Sequence, residues 1–253
     1  MEVHHHSSPA SGGTHTPRKK WSHYFWEFLM LFLAVFCGFL AENQREHMVE
    51  HRREKGYMHS LIEDLQTDTS NLSQELRRGI AARTGLENLI SFLNSESTKD
   101  SVAHLYELNT KSGKVVHIYF EDRTSSQLKN GGNMRLIRNK TVADSIRNYW
   151  GSIKIMDNVD TRLEEYRMKA IDIGAQIFHN KYTKYSDPRN ITSDISILPG
   201  AKLISDDPAL QAQYSNRRQL YLNVLNNYMR TMEFIKEEAT TLIELIKKGY
   251  HFK

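Results

Sequence analysis

Residues 28–41 read FLMLFLAVFCGFLA and contain no charged side chain. The run alone is short for a membrane span, but aromatic residues at 21–26 extend it towards the N-terminus past His23 and Glu27. As a helix, residues 21–41 would be about 31 Å long, which matches a hydrocarbon core of about 30 Å. Tryptophan and tyrosine at its start are typical of the membrane interface. We therefore predict one transmembrane helix over residues 21–41.

The segment lacks the features of a cleaved signal peptide. Signal peptidase requires small residues at positions −3 and −1. Cleavage after Ala41 would place Phe39 at −3, and cleavage after Gly38 would place Phe36 there. The bulky Phe36 before Cys37 also disfavours a lipoprotein site. The sequence predicts an uncleaved anchor.

The anchor divides the chain into a tail at 1–20, the span at 21–41 and a soluble domain at 42–253. Basic residues flank the span on both sides: Arg18, Lys19 and Lys20 before it, and Arg45, Arg52, Arg53 and Lys55 after it. The numbers of basic residues on the two sides are nearly equal, but large domains translocate largely regardless of charge. We expect a single-pass protein with the N-terminus in the cytoplasm and the C-terminal domain on the outer side of the membrane.

Three residues of the span are candidates for contact within the membrane. A carboxylate such as Glu27 marks a site for a proton or a partner helix by default, although a shallow side chain can also reach the headgroups. Ala34 and Gly38 form a small-xxx-small pair that permits close helix packing.

The soluble part is expected to be mainly helical. Apolar residues recur at a spacing of about 3.5 from Met58 to Leu93, which predicts a helix over 44–93 with a stripe like that of a coiled coil. A short helix is expected at 101–109, and VVHIYF at 115–120 resembles a strand without an obvious partner.

Two further long helices follow. One is capped by Asn139 or Thr141 and runs to about Tyr185, and the other starts at Asp206 or Asp207 and runs to about Gly249. A long loop at 186–206 separates them. The fold class is therefore mainly α, with one N-terminal transmembrane helix that continues into an elongated helical bundle.

The sequence contains no catalytic constellation on which an activity can rest. His47-Met-Val-Glu-His51 has the H-x-x-E-H spelling of a zinc-protease motif, but the chain has 12 histidines, so a chance match is expected. We expect no cofactor and no metal. A net charge of +4, mixed with acidic residues, is too small to indicate a nucleic-acid partner. The single cysteine excludes an intramolecular disulfide.

The segment 124–146, TSSQLKNGGNMRLIRNKTVADSI, contains three polar residues that are candidates for a partner surface: Asn133, Arg135 and Asn139. Helix capping and turn closure explain the same residue types, and we weight that structural interpretation more heavily.

The chain resembles a family of uncharacterised single-pass proteins from Bacteroidota. The resemblance lies in the start MEVHHH, the anchor FWEFLMLFLAVFCGFLAENQREH, the segment 124–146 and the ending LIKKGYHFK. The family's L-x-x-S-G-N-L-x-L-I-x-N pattern has serine where this chain has Gly131, and leucine where it has Met134. The resemblance implies an inner-membrane protein with a periplasmic domain, and it implies no activity.

Three functions remain open. The first is a non-enzymatic interaction or scaffold protein of the cell envelope, with the lipid bilayer and an envelope protein or a second copy as partners. The second is a ligand or stress sensor that signals through a membrane partner at Glu27 or the Ala34–Gly38 face. The third, which we disfavour, is a membrane-tethered zinc hydrolase that uses His47, Glu50 and His51.

Overall fold

The computed structural model describes residues 21–95, 102–185 and 195–252. The chain divides into two compact units, Met1–Arg52 and Arg53–Lys253. The tail 1–20, with Arg18, Lys19 and Lys20, lies outside the described residues, as does the stretch 186–194 of the long loop.

The described chain is mainly helical. Helix α1 spans Trp21–Leu93, so the helix that the sequence places at 21–41 does continue beyond the apolar segment. The remaining elements, in chain order, are α2 (Val102–Ser112), α3 (Arg123–Asn130), a 3₁₀ turn (Asn133–Leu136), α4 (Lys140–Ile177), a 3₁₀ turn (Asn180–Tyr182), β1 (Thr183–Tyr185), β2 (Ile195–Ile197) and α5 (Pro208–Tyr250).

Two of the long helices begin where the sequence predicts. Asn139 caps α4, and its side chain accepts a hydrogen bond from the Val142 backbone N–H at 3.2 Å. Asp207 caps α5 by accepting from the Ala209 backbone N–H at 3.0 Å, and Pro208 follows at the first turn. Both caps satisfy backbone donors that the first helical turn leaves without partners.

The core of the second unit lies between α4, α5 and the part of α1 that starts at Arg53. Its main cluster includes five fully buried side chains: Met58, Leu65, Ile146, Leu225 and Met232. A smaller cluster surrounds the last turn of α1, where Leu89 and Leu93 meet Tyr106 of α2 and Tyr214 of α5. The apolar stripe predicted for 58–93 is therefore the core-facing side of α1.

Two sequence expectations were wrong in detail. Residues 114–122 form no strand, although burial alternates along them, with Val116 and Ile118 buried and Val115 and Tyr119 exposed. The Ile118 backbone N–H donates instead to the Tyr228 hydroxyl at 3.1 Å, so a side chain takes the place of a neighbouring strand. Helix α4 ends at Ile177 rather than near Tyr185, because residues 183–185 pair with 195–197 in an antiparallel hairpin.

Gly85 allows a close approach that any side chain would block. A Cβ at this position would lie 2.8 Å from the Lys111 carbonyl oxygen, at the end of α2. A Cβ at Gly56, on the same helix, would meet nothing within 4 Å. We expect Gly85→Ala to destabilise the protein by about 1–3 kcal/mol and Gly56→Ala to stabilise it by up to about 1 kcal/mol. Urea unfolding of both variants measures the contrast, and equal effects would contradict the tight packing at Gly85.

Candidate membrane segment and polar sites of the folded unit

The apolar part of α1 is long and apolar enough to cross a membrane. Its best 18-residue window has a mean hydropathy of 2.0, and none of that window is buried. Large side chains lie exposed along it, including Phe28, Leu31 and Val35 with exposures of 64%, 68% and 68%. A core helix of a soluble protein would bury such residues against its own chain. The first unit supplies no such cover within the described residues.

The three candidate residues of the segment are accessible in the first unit. Glu27 is exposed, and its carboxylate Oε1 lies 3.3 Å from His23 Nε2 one turn earlier. Ala34 and Gly38 are also exposed, and a Cβ added at Gly38 would meet nothing within 4 Å. The small-residue face is therefore open to a neighbouring helix.

The structure gives two of the three candidates in segment 124–146 a role in the fold. The Asn133 amide donates to the Tyr57 hydroxyl at 3.0 Å and to the Gln127 carbonyl at 3.1 Å, so it closes the turn after α3. Gly132 in that turn has φ of 62°, a left-handed conformation that favours glycine. Asn139 caps α4, and only Arg135 has an exposed side chain. The structural interpretation holds for both asparagines.

Sequence analysis missed a series of buried carboxylates on α1. Glu54, Asp64 and Asp68 lie among the apolar core positions of the helix, with exposures of 1%, 3% and 1%. Each accepts a hydrogen bond from a backbone N–H of segment 121–138: Arg138 to Glu54 at 2.7 Å, Thr124 to Asp64 at 3.0 Å, and Glu121 to Asp68 at 2.8 Å. Acidic residues at core spacing were the available signal. They fasten segment 121–138, which contains α3 and the 3₁₀ turn Asn133–Leu136, to α1 by accepting hydrogen bonds from its backbone donors.

Side chains from other elements complete two of these contacts. The Tyr149 hydroxyl of α4 donates to Asp68 at 2.7 Å, and the Arg123 guanidinium donates to Asp64 at 2.6 Å. Burial raises the pKa of Asp68 from 3.8 to about 6, and this effect outweighs the two hydrogen bonds that favour its charged form. Burial and the nearby Asp68 carboxylate also raise the pKa of Tyr149, so its hydroxyl keeps the proton it donates.

The raised pKa makes a testable contribution to the pH dependence of stability. Because the folded state holds the Asp68 proton more tightly than the unfolded chain, this contribution is complete below about pH 4 and is lost as the pH rises through about 6. When the pH falls from 7 to 4, we expect the free energy of unfolding of wild type to rise by about 2–3 kcal/mol relative to that of Asp68→Asn. Urea unfolding across this range measures the difference. A difference between the two proteins that does not change with pH would contradict the prediction.

A cavity of about 320 Å³ opens in the second unit between segment 114–122, which has no regular secondary structure, α4 and α5. Its lining includes Val116, Leu163 and Tyr221, with the polar side chains His117, Asp160, Glu164 and Arg167. His117 Nδ1 lies 2.9 Å from Asp160 Oδ1, and Arg167 binds both oxygens of Glu164 at 2.6 and 2.7 Å. The hydrogen bond to Arg167 lowers the pKa of Glu164. The walls thus combine apolar surface with a histidine–carboxylate hydrogen bond and an arginine–glutamate ion pair.

The structure gives the zinc-hydrolase reading no support. Within residues 21–95, 102–185 and 195–252, no group of three or more His, Cys, Asp or Glu side chains is placed to hold a metal ion. His47 and His51 of the H-x-x-E-H spelling are exposed on α1. The spelling is therefore not part of a formed metal site in the described chain.

Comparison with known proteins adds no relative. No family model, no curated protein and no solved structure matches the chain.

Proposed function

We propose that the chain is a single-pass membrane protein, anchored by residues 21–41, that presents a helical bundle at the membrane as a non-enzymatic interaction or scaffold protein. The observation that carries the proposal is the apolar segment of α1 in the first unit, which the described chain leaves exposed. At about 25 cal/mol per Å², exposed apolar surface of this extent is costly in water, and a bilayer removes the cost.

The direction of insertion is part of the same proposal. The basic residues 18–20 precede the span, and a folded domain of about 200 residues follows it. We place the N-terminus in the cytoplasm and the bundle in the periplasm of a bacterial cell, in line with the resemblance to single-pass proteins of Bacteroidota.

The interaction role rests on residues of the span that a lone anchor does not need. Glu27 introduces a carboxylate near one end of the apolar segment, and Ala34 and Gly38 leave a face on which a second helix can approach closely. A partner helix of an envelope protein, or a second copy of this chain, is the expected occupant.

The test is affinity purification of the full-length protein from its native membrane in mild detergent, followed by mass spectrometry. Glu27→Gln and Gly38→Leu are compared with wild type, and Val35→Leu, an apolar exchange on the same segment, is the matched control. A stoichiometric partner that both wild type and Val35→Leu retain, and that either test variant loses, supports the proposal. Recovery of the chain alone in all four samples counts against it.

The cavity favours a second candidate function, a sensor in which a small ligand binds the bundle and a membrane partner receives the signal. Its support is the 320 Å³ volume beside His117 and Tyr221. A ligand from a metabolite screen that raises the melting temperature of wild type, but not of Leu163→Trp, would favour the sensor function over the scaffold function. A control exchange at Leu220, which is exposed on α5, should leave that shift unchanged.

A further inference from the structure

Three stretches that are far apart in the sequence meet at the end of the second unit where its chain begins. The Glu54 carboxylate accepts from the Arg138 backbone N–H at 2.7 Å and from the Tyr250 hydroxyl at 2.6 Å. Nearby, Asn133 reaches Tyr57, and the rings of His59 and Phe252 lie 6.1 Å apart. The start of this unit's α1, the segment before α4 and the last turn of α5 therefore form one end of the folded unit.

Basic side chains dominate this end. They come from all three stretches, and all but the partly buried Lys247 are exposed: Arg53, Lys55, Arg135, Arg138, Lys140, Lys247 and Lys248. We call this set the basic end. The one acidic residue of the contact itself, Glu54, is 1% exposed and already accepts two hydrogen bonds. Nearby, Glu244 is exposed on α5, and Asp144 is paired with Arg147. The exposed charge is therefore strongly positive.

Within the residues that the structure describes, the opposite part of the unit has no comparable cluster of basic side chains. Around the last turn of α1, α2 and the hairpin, cations alternate with acidic side chains, as in the Lys111–Glu107 pair at 3.6 Å. Lys181, Lys184 and Lys202 are exposed there on separate short elements. Positive charge is thus concentrated at the end where the chain enters from the apolar segment.

We propose that the basic end binds the anionic headgroups of phospholipids in the membrane that holds the apolar segment. The proposal rests on the anchoring argued under the proposed function. Clusters of four to eight Lys and Arg beside a membrane bind anionic lipids, and each cation strengthens binding by about fivefold. Here folding assembles the cluster, since residues 135–140 and 247–248 are remote from the span in sequence.

Residues 42–52 connect the apolar segment to the basic end along the chain, and we call them the tether. Residues 42–52 are helical in the first unit and are about 17 Å long, after which the chain arrives at Arg53. A headgroup layer adds about 5–8 Å outside the hydrocarbon core. Extended Lys and Arg side chains cover about 6 Å more, and charges interact over a Debye length of about 8 Å at physiological salt. Added together, the headgroup layer, the side-chain length and the Debye length exceed the length of residues 42–52.

The test uses the full-length protein in lipid nanodiscs, with Cys37→Ser and a fluorophore on Thr141→Cys, an exposed position next to Lys140. Phosphatidylcholine discs with and without one quarter phosphatidylglycerol carry a nitroxide quencher on the headgroup. We expect quenching to be at least twofold stronger with phosphatidylglycerol and to return to the neutral-lipid value in 1 M NaCl, where the Debye length is about 3 Å.

Two triple charge-reversal variants distinguish an effect of the basic end from an effect of the protein's net charge. The triple variant Arg135→Glu, Lys140→Glu and Lys248→Glu should lose the extra quenching, while Lys181→Glu, Lys184→Glu and Lys202→Glu, with the same change in net charge, should keep it. Equal quenching in both lipids by a chain that stays in the discs would overturn the headgroup contact and leave the anchor intact. If the basic end then retained an acidic protein from native membranes, that protein would be its partner instead. A chain that leaves the discs would overturn the anchor, and this proposal with it.

Discussion

Arginine at both Leu31 and Val35 is expected to move the protein from the membrane fraction to the soluble or aggregated fraction. Both side chains are 68% exposed near the middle of the apolar segment, one helical turn apart. Each arginine at a span centre costs about 2.5–3.5 kcal/mol of insertion free energy. Two together cost about 5–7 kcal/mol, which lowers the equilibrium constant for insertion by more than about a thousandfold. Carbonate extraction of membranes, followed by immunoblotting, measures the shift.

The matched control places the same charges on the same helix outside the apolar run. Asn43→Arg and His47→Arg replace exposed residues of α1 beyond Ala41. This double variant should remain resistant to carbonate. If the Leu31 and Val35 variant also stays in the carbonate-resistant pellet, the segment is not the anchor, and the proposed function fails with it.

Removal of the Glu54 carboxylate is expected to destabilise the second unit more than any other single exchange proposed above. In Glu54→Leu the Tyr250 hydroxyl and the Arg138 backbone N–H lose their acceptor. An unsatisfied buried donor costs about 1–3 kcal/mol, so two predict a loss of about 2–6 kcal/mol in the free energy of unfolding. Glu54→Gln keeps a carbonyl oxygen for both donors, and we expect it to cost about 1 kcal/mol.

Urea unfolding in detergent tests this ordering, with Glu87→Leu as the control. Glu87 lies on the same helix, is 54% exposed, and lies 3.9 Å from Arg83, an exposed pair of small energetic value. We expect its replacement to change stability by less than about 0.5 kcal/mol. A Glu54→Leu variant as stable as Glu87→Leu would show that the two hydrogen bonds do not hold this end together.

Local chemistry explains why the sequence predicted the long helices well. The apolar stripe from Met58 to Leu93, the Asn139 cap and the Asp207-Pro208 start are features of a few consecutive residues, and the structure contains all three. The apolar character of residues 28–41 is likewise local. Such local patterns do not predict pairing between distant segments, because spacing along the chain does not record which partner a backbone N–H will find.

The strand prediction at 115–120 shows this limit. The β-branched and aromatic residues of this stretch predicted a strand, whereas the structure has no regular secondary structure there and buries Val116 and Ile118. The residue types did not indicate that its neighbours would be helices, or that the Tyr228 hydroxyl, 110 residues away, would accept the Ile118 hydrogen-bond donor. The hairpin of 183–185 with 195–197 was missed for the same reason, since each strand has three residues and carries little pattern.

By itself, the sequence determined the apolar segment, the helical class, the helix starts at 140 and 208, and the absence of a disulfide within the chain. Only the tertiary structure decided that Asn133 donates to the Tyr57 hydroxyl, and that Glu54, Asp64 and Asp68 hold segment 121–138 against α1. It alone gathered the cations of residues 135–140 and 247–248 at one end. The physical reason is range: helix periodicity and capping act within about four residues, whereas a buried carboxylate is satisfied by whichever donor the folded chain brings to it.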